Sequence, residues 1–316
     1  MVAEKQRLAS SLFSYIGRRL ALLRNRRQSF RHELAVGAIF KNEDRYLEEW
    51  LTFHHGVGVD HFYLYNNNST DAFLKVLQPW RLRGLVTLID WPEEGGQVSA
   101  YRNCIRRFRN QARWIALIDI DEFLFSPQSV DLKEVLRQYS DVPALFVYWV
   151  MFGSGGHVSR PAGNVIESYR RCLDLQSAIN DTFDHHKVPG KVNYVTGWAQ
   201  DGKSIVNPRL VRRFVVHKPK ELWQGTTLDE NRRVPQQRVC GAAISYSVVR
   251  INHYWSKSIQ DLTEKVGKGI VNFKTQPKIE LSTWLEREKT LNTAEDETIL
   301  STWREIQSRA GQRTAP

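Results

Sequence analysis

Residues 114 to 125, WIALIDIDEFLF, close a branched apolar run with Asp119, Asp121 and Glu122. Carboxylates this near one another repel unless a cation lies between them or one keeps its proton. In a strand, residues two apart share a face, so Asp119 and Asp121 are expected to project together while Ile120 turns to the core. Hard oxygen donors of this kind suit Mg²⁺ or Mn²⁺, ions that commonly combine one or two protein carboxylates with phosphate oxygens. A plain pair of solvent-facing acids would use the same residues without metal; the apolar strand before them favours a built site.

The elements that must hold those acids are legible as periodicity. LAVGAIF (34 to 40), DHFYLYN (60 to 66), GLVTLIDW (84 to 91) and WIALIDID read as strands. Between them lie helical patterns at 43 to 56, at 69 to 80 with a stop at Pro79, and at 97 to 112. This β-α-β-α-β-α-β order predicts an α/β fold, a mostly parallel Rossmann-like sheet with helices on both faces. Open sheets of this class bind ligands beyond the carboxyl ends of their strands, where the acids fall. Farther on, a helix at 130 to 140 and a strand at 144 to 153 precede a polar, poorly periodic stretch reaching about Lys191, expected to be loops that cover a site. Short strands follow at 203 to 208, 212 to 219 and 245 to 255, and Ser258 to Arg309 is mostly helical by pattern. Residues 1 to 32 read as a basic arm, 33 to 257 as one domain and 258 to 316 as a helical extension.

Composition narrows the function. The 316 residues are 41% apolar and 11% aromatic, enough for a packed core and unlike a disordered chain. The net charge of +11 is uneven: residues 1 to 32 hold eight Lys or Arg against Glu4 alone. That localisation disfavours a groove-lining nucleic-acid binder and points the arm at an anionic surface such as membrane lipid. LFSYIGRRLALL (12 to 23) is interrupted by Arg18 and Arg19 and falls short of the roughly 20 apolar residues of a span, so it reads as an amphipathic helix peripheral to a membrane or as a solvated helical tail. Cys104, Cys172 and Cys240, odd in number and far apart, fit a reducing, cytoplasmic setting and suggest no thiol metal site; taken with the arm, they lead to an expectation of a cytoplasmic protein peripheral to the inner face of the cell membrane.

Five segments in order carry a family resemblance: IFKNEDRYLEEWLTFHHGVGVDHFYLYNNNSTD, DIDEFL, WVMFGSGGH, KSIVNP and RINHYWSKSIQDLTEKVGKG. Together they resemble glycosyltransferase family 92 and bacterial family 2-like relatives. The resemblance implies a GT-A fold, a nucleotide-sugar donor, UDP-galactose first, and a divalent cation (Mn²⁺ or Mg²⁺) held by the DxD pair Asp119 and Asp121. It implies inverting transfer to a glycan or glycolipid acceptor, as in polysaccharide biosynthesis. Asn42 and Glu43 match the KNE where the family places its nucleotide; as a bare sequence they are also a polar helix cap. Asn66 stands where the pattern usually has Asp, losing a charge but keeping a donor and an acceptor, and Asp71 is retained. Gln97, Arg102 and Asn103 lie on the helix entering the acidic strand, with Arg102 expected toward the sugar or pyrophosphate. Arg106, Arg107 and Arg109 read as a solvated helix face.

A late histidine often completes such a metal site. His217 in VVHKP and His253 in INHYW each follow a β-branched run, and His253 is preferred because Lys257 lies near enough to neutralise a diphosphate. Lys203 is a second diphosphate or acceptor candidate. For the base that inversion requires, Glu122, His157, Asp181 and Asp184 stay open, since spacing does not choose among them. Gly153 to Gly156 reads as a mobile loop beside an acceptor pocket, and Trp149 and Phe152 as core residues or sugar-stacking rings. The pairs His54, His55 and His185, His186 lack the i,i+4 spacing of a zinc protease. Two rival functions use similar chemistry: a metal-dependent nucleotidyltransferase, for which VGAIFKNE offers too few glycines, and a non-catalytic glycan- or nucleotide-binding module.

Overall fold

A computed structural model describes residues 29–174, 200–236, 243–268 and 280–314. Residues 1–28 of the arm, with the amphipathic segment at 12–23, and Asp181, Asp184, His185, His186 and Cys240 lie outside the described residues.

The first half forms β1 (His32–Phe40), α1 (Asp44–Gly56), β2 (His61–Asn66), α2 (Phe73–Leu82), β3 (Val86–Asp90), α3 (Gln97–Phe108) and β4 (Ala112–Leu117). All four strands run parallel, in the order β3-β2-β1-β4. Both faces are covered, and β1 shows how: Leu34, Val36, Ala38 and Phe40 pack in the core beneath α1 and α2, while Ala35 and Ile39 join the core beneath α3. Gly37 sits where α3 comes closest, since a Cβ there would stand 2.8 Å from Cys104 Sγ.

The rest adds β5 (Glu122–Phe125), α4 (Leu132–Arg137), β6 (Ala144–Phe152), α5 (Val165–Ser168), β7 (Arg171–Cys172), β8 (Gly202–Val206), β9 (Val211–Phe214), β10 (Pro219–Leu222), β11 (Thr227–Leu228), β12 (Arg250–Tyr254), α6 (Ile259–Lys268), α7 (Leu281–Thr290), β13 (Ala294–Glu295) and α8 (Thr298–Thr314). Here the sheet turns mixed. β8 is antiparallel to both β4 and β6, while β12 runs parallel to β6 and antiparallel to β5. The result is a largely parallel but mixed sheet with flanking helices and a helical C-terminal portion.

Two local expectations fail for physical reasons. The strand at 114 to 121 stops at Leu117, and Ile118 to Asp121 form a turn closed by Glu122 N–H donating to Asp119 O at 3.1 Å. The buried Ile118 and Ile120 imitate strand alternation, but the α1 residue Trp50 holds the turn by donating Nε1–H to Asp119 O (3.1 Å) and Glu122 O (2.9 Å). Helix α2 passes Pro79 and ends at Leu82, because Trp80 is buried and its Nε1–H donates to Glu48 at 3.0 Å. Pro79 faces solvent, so the carbonyl deprived of its amide partner stays near water.

Candidate metal centre at the end of the central strand

The turn after β4 presents the acids, and the strands beyond it bring their neighbours. β5 pairs with β12 in a register that sets His253 opposite Glu122. Tyr254 N–H donates to Asp121 O at 2.8 Å, locking β12 to the turn. One ligand atom each of Asp121, Glu122 and His253 then lies within 4.8 Å of the others. His253 Nε2 is 3.5 Å from Asp121 Oδ1, and its Nδ1 is 3.9 Å from Glu122 Oε1.

The electrostatics divide the acids by role. Asp119 accepts from Tyr101 Oη (2.5 Å) and Gln97 Nε2 (2.6 Å) on one oxygen, and from Lys203 Nζ (2.8 Å) on the other. Burial pushes its pKa up, yet the Lys203 charge and these bonds pull it below the usual carboxylate value. Lys203 is itself buried on β8; burial works against its charge, but Asp119 and Glu122 raise its pKa above the ordinary lysine value. Asp121 is lowered well below its usual value: burial opposes its charge, and Lys265 at 2.7 Å, then His253, overcome that. Glu122, fully buried, is raised well above the ordinary range by burial, with Asp119 and Asp121 adding repulsion that Lys203 at 3.8 Å does not cancel. Burial lowers His253, favouring the neutral imidazole that ligates metals.

The donor set fits a divalent cation by two further observations. Glu122 Oε1 and His253 Nδ1 are buried and have no hydrogen-bond partner among the described residues, an arrangement costly to the fold unless something occupies the space between them. Two carboxylates and one imidazole suit Mg²⁺ or Mn²⁺ by oxygen donors and tolerate the nitrogen.

The sequence-predicted residues scatter around this centre. Asp121, Glu122 and His253 converge; Asp119 stands beside them, occupied by Tyr101, Gln97 and Lys203. Lys203, the diphosphate or acceptor candidate, is ion-paired with Asp119. His217 lies across the Trp149 ring from His253, with Nδ1 2.9 Å from Gly202 O. Arg102, expected toward the sugar, donates Nε–H to Phe214 O at 2.8 Å. His157 contacts Ser168 O at 3.2 Å, and Lys257 lies 4.4 Å over the Tyr46 ring. Asn42 is left-handed and accepts from Thr70 N–H, while Asp71 accepts from Asp44 N–H at the start of α1, which follows Glu43 directly. Asn66 accepts from Ser69 N–H and donates to Asp90. These bonds clasp the loops after β1 and β2 at the carboxyl edge of the sheet. The glycine loop, expected to be mobile, is held: Ser154 N–H donates to Glu288 and Gly155 N–H to Asn292, both at 2.7 Å. Clefts of about 510 Å³ between α6 and α7, and about 390 Å³ beside α1, both lie away from the acids.

Tyr101 and Lys265 went unread in the sequence. Tyr101 sits one turn beyond Gln97 on α3, a spacing that would have found it; Lys265 carries no such signal. His54 is structural, with Nδ1 on Trp50 O and Nε2 accepting from Leu124 N–H.

Among curated proteins, a glycosyltransferase family 92 protein of Oryza sativa subsp. japonica is 34% identical over 142 residues, covering 44% of this chain and 24% of its own length. The galactan beta-1,4-galactosyltransferase GALS2 of Arabidopsis thaliana is 27% identical over 213 residues, 64% of this chain and 38% of that one. The chain thus spans about a quarter of the length of the first of these relatives. Among solved structures, S. aureus TarS 1-349 aligns with a TM-score of 0.36 and 10% identity over 56% of this chain and 48% of that one, too loose a likeness to carry weight. The model of glycosyltransferase family 92 matches residues 32–292, a range that takes in β1, the acidic turn and the strand bearing His253. With most of its length matched, and its acids and histidine gathered inside the matched region, the chain belongs to glycosyltransferase family 92.

Proposed function

We propose that this chain is a metal-dependent glycosyltransferase of GT-A type, moving a sugar from a nucleoside-diphosphate donor to a hydroxyl of a glycan or glycolipid acceptor with inversion. The observation that carries the reading is the convergence of Asp121, Glu122 and His253 at the carboxyl end of a parallel sheet in a family 92 chain. Asp121, Glu122 and His253 would hold the cation, and a bound cation supplies Lewis-acid stabilisation of charge developing on the leaving diphosphate. The protein's own part is positional. Lys203 and Tyr101 fix Asp119, Trp50 fixes the turn, and Lys265 keeps Asp121 ionised. Galactose from UDP-galactose is the first donor to test, because an Arabidopsis relative is named a galactosyltransferase. Asp181 and Asp184 are the base candidates this reading retains, since it gives Glu122 to the cation.

The reading extends to a cytoplasmic setting, supported by the buried free thiols of Cys104 and Cys172, and to a peripheral membrane role for residues 1 to 32. Among the described residues, no helix is long and apolar enough to cross a membrane.

The test is a donor screen with Mn²⁺ and each common nucleotide sugar, reading release of free nucleoside diphosphate. Release from one donor, abolished in Asp121→Asn, is expected. Failure to bind UDP or GDP at any divalent-ion concentration would overturn the proposal.

A further inference from the structure

The basic charge of the folded body is as localised as that of the arm. Two segments, 97–113 and 207–224, hold ten Lys or Arg between them and one acid, Glu221. Since residues 33–316 net only +4 once the arm's +7 is removed from +11, the rest of the body is net acidic. The fold brings these two distant segments together. Arg102 Nε donates to Phe214 O, Tyr101 packs edge-on against Phe214, and Arg109 and Arg209 exchange bonds with each other's carbonyl oxygens at 3.3 and 3.2 Å. Arg106 and Arg109 of the α3 region and Arg212 and Arg213 of β9 are exposed. Glu221 reaches Arg212 and Arg213 only at 3.5 Å each, so one carboxylate is shared between two guanidinium groups.

Two more features give this face a direction. Trp223, 63% exposed, lies beneath the Arg212 guanidinium at 5.4 Å, and its backbone N–H donates to Leu210 O. A large exposed indole beside arginines is the side-chain pairing suited to the headgroup level of a bilayer, where the ring is half wet and half apolar. At the other end, Phe30 packs under Arg209 with its ring centroid 4.7 Å from the guanidinium carbon. Phe30, which lies near the end of the basic arm in sequence, is therefore at the edge of this same face.

We infer that the α3–β9 face is a docking surface for an anionic phospholipid bilayer, with Arg106, Arg109, Arg212 and Arg213 meeting the headgroups and Trp223 entering the interface. Exposed like charges repel one another, and an anionic surface relieves that repulsion by about one kcal/mol for each Lys or Arg brought near it, equivalent to about fivefold in binding. The bilayer is preferred to nucleic acid because a phosphate groove would use the arginines and leave Trp223 without a role.

The experiment is flotation of the full chain with vesicles of phosphatidylcholine mixed with phosphatidylglycerol, and with phosphatidylcholine alone. The triple variant Arg106→Gln, Arg212→Gln, Arg213→Gln, with its arm intact and its melting temperature unchanged, is expected to bind the anionic vesicles about a hundredfold more weakly. Wild-type affinity in that variant would overturn the inference, as would equal binding to the neutral vesicles. Independently of the triple variant's folding, vesicles with brominated acyl chains should quench tryptophan emission, and Trp223→Phe should remove most of that quenching; unchanged quenching would remove Trp223 from the interface and overturn the proposal. A DNA duplex that displaces the vesicles at equal phosphate concentration would reassign the face to nucleic acid.

Discussion

The turn after β4 and the α3–β9 face both concentrate charge, and they handle it in opposite ways. At the turn the acids are largely withdrawn from water and answered within the fold: Asp119 by the buried Lys203, and Asp121 by Lys265, which itself stays 42% exposed. On the arginine face the charges stand in water with one shared acid among them. A buried ion must be neutralised where it lies, so its partner contributes to stability; an exposed ion is screened by solvent, so it is free to serve something outside the molecule. The unpartnered Glu122 and His253 atoms belong to neither pattern, which is why they point to a ligand.

Breaking the buried pair should have the largest effect. Lys203→Met leaves Asp119 without its counter-charge and is expected to cost about 3–5 kcal/mol in a urea titration. Adding Asp119→Asn should return part of that loss, and a single variant that melts like the wild type would show that the pair is not structural.

Removing a group of the metal centre should instead spare the fold. Asp121→Asn is expected to lower nucleoside-diphosphate release about 10²–10³-fold, while shifting stability by less than about 1 kcal/mol, since Lys265 is 42% exposed. Loss of stability without loss of release would reverse the two roles.

His54 tests a third way of burying a titratable group, which is to keep it neutral. Burial pushes its pKa down to about 3 from 6.5. The unfolded chain therefore takes up a proton that the folded chain refuses, so this contribution is present above about pH 6.5 and is lost as pH falls toward 3. The expected slope is about 1.4 kcal/mol per pH unit within that window. Denaturant midpoints measured across it should flatten in His54→Gln.

The smallest effect belongs to a fully solvated pair. Lys289 and Glu286, 68% and 72% exposed, meet at 2.7 Å on α7. Glu286→Gln should change the urea midpoint by no more than about 0.5 kcal/mol. A cost comparable to that of Lys203→Met would erase the contrast between buried and exposed charge.

How much of this was readable in the chain follows from the distance over which each force acts. The alternation from Leu34 to Leu117 was legible because doubly buried strands write themselves as continuous branched runs and helices as stripes. Of the two candidate histidines, His253 is the one that stands in a cluster with Asp121 and Glu122. The turn at Ile118 to Asp121 was misread because its clamp, Trp50, acts from 69 and 72 residues away. Lys265, 144 residues from Asp121, and the β8 register that buries Lys203 are products of tertiary packing with no local pattern. Asp119 and Asp121 look equivalent as letters; their partners make them different.

The central claim is that Asp121, Glu122 and His253 hold one divalent cation. Electron paramagnetic resonance of free Mn²⁺, titrated with the full chain in the presence of UDP, tests it directly. The account predicts a single bound ion per chain, lost in both Asp121→Asn and His253→Gln. Binding that survives both substitutions, or no binding by a folded wild-type chain, would contradict it.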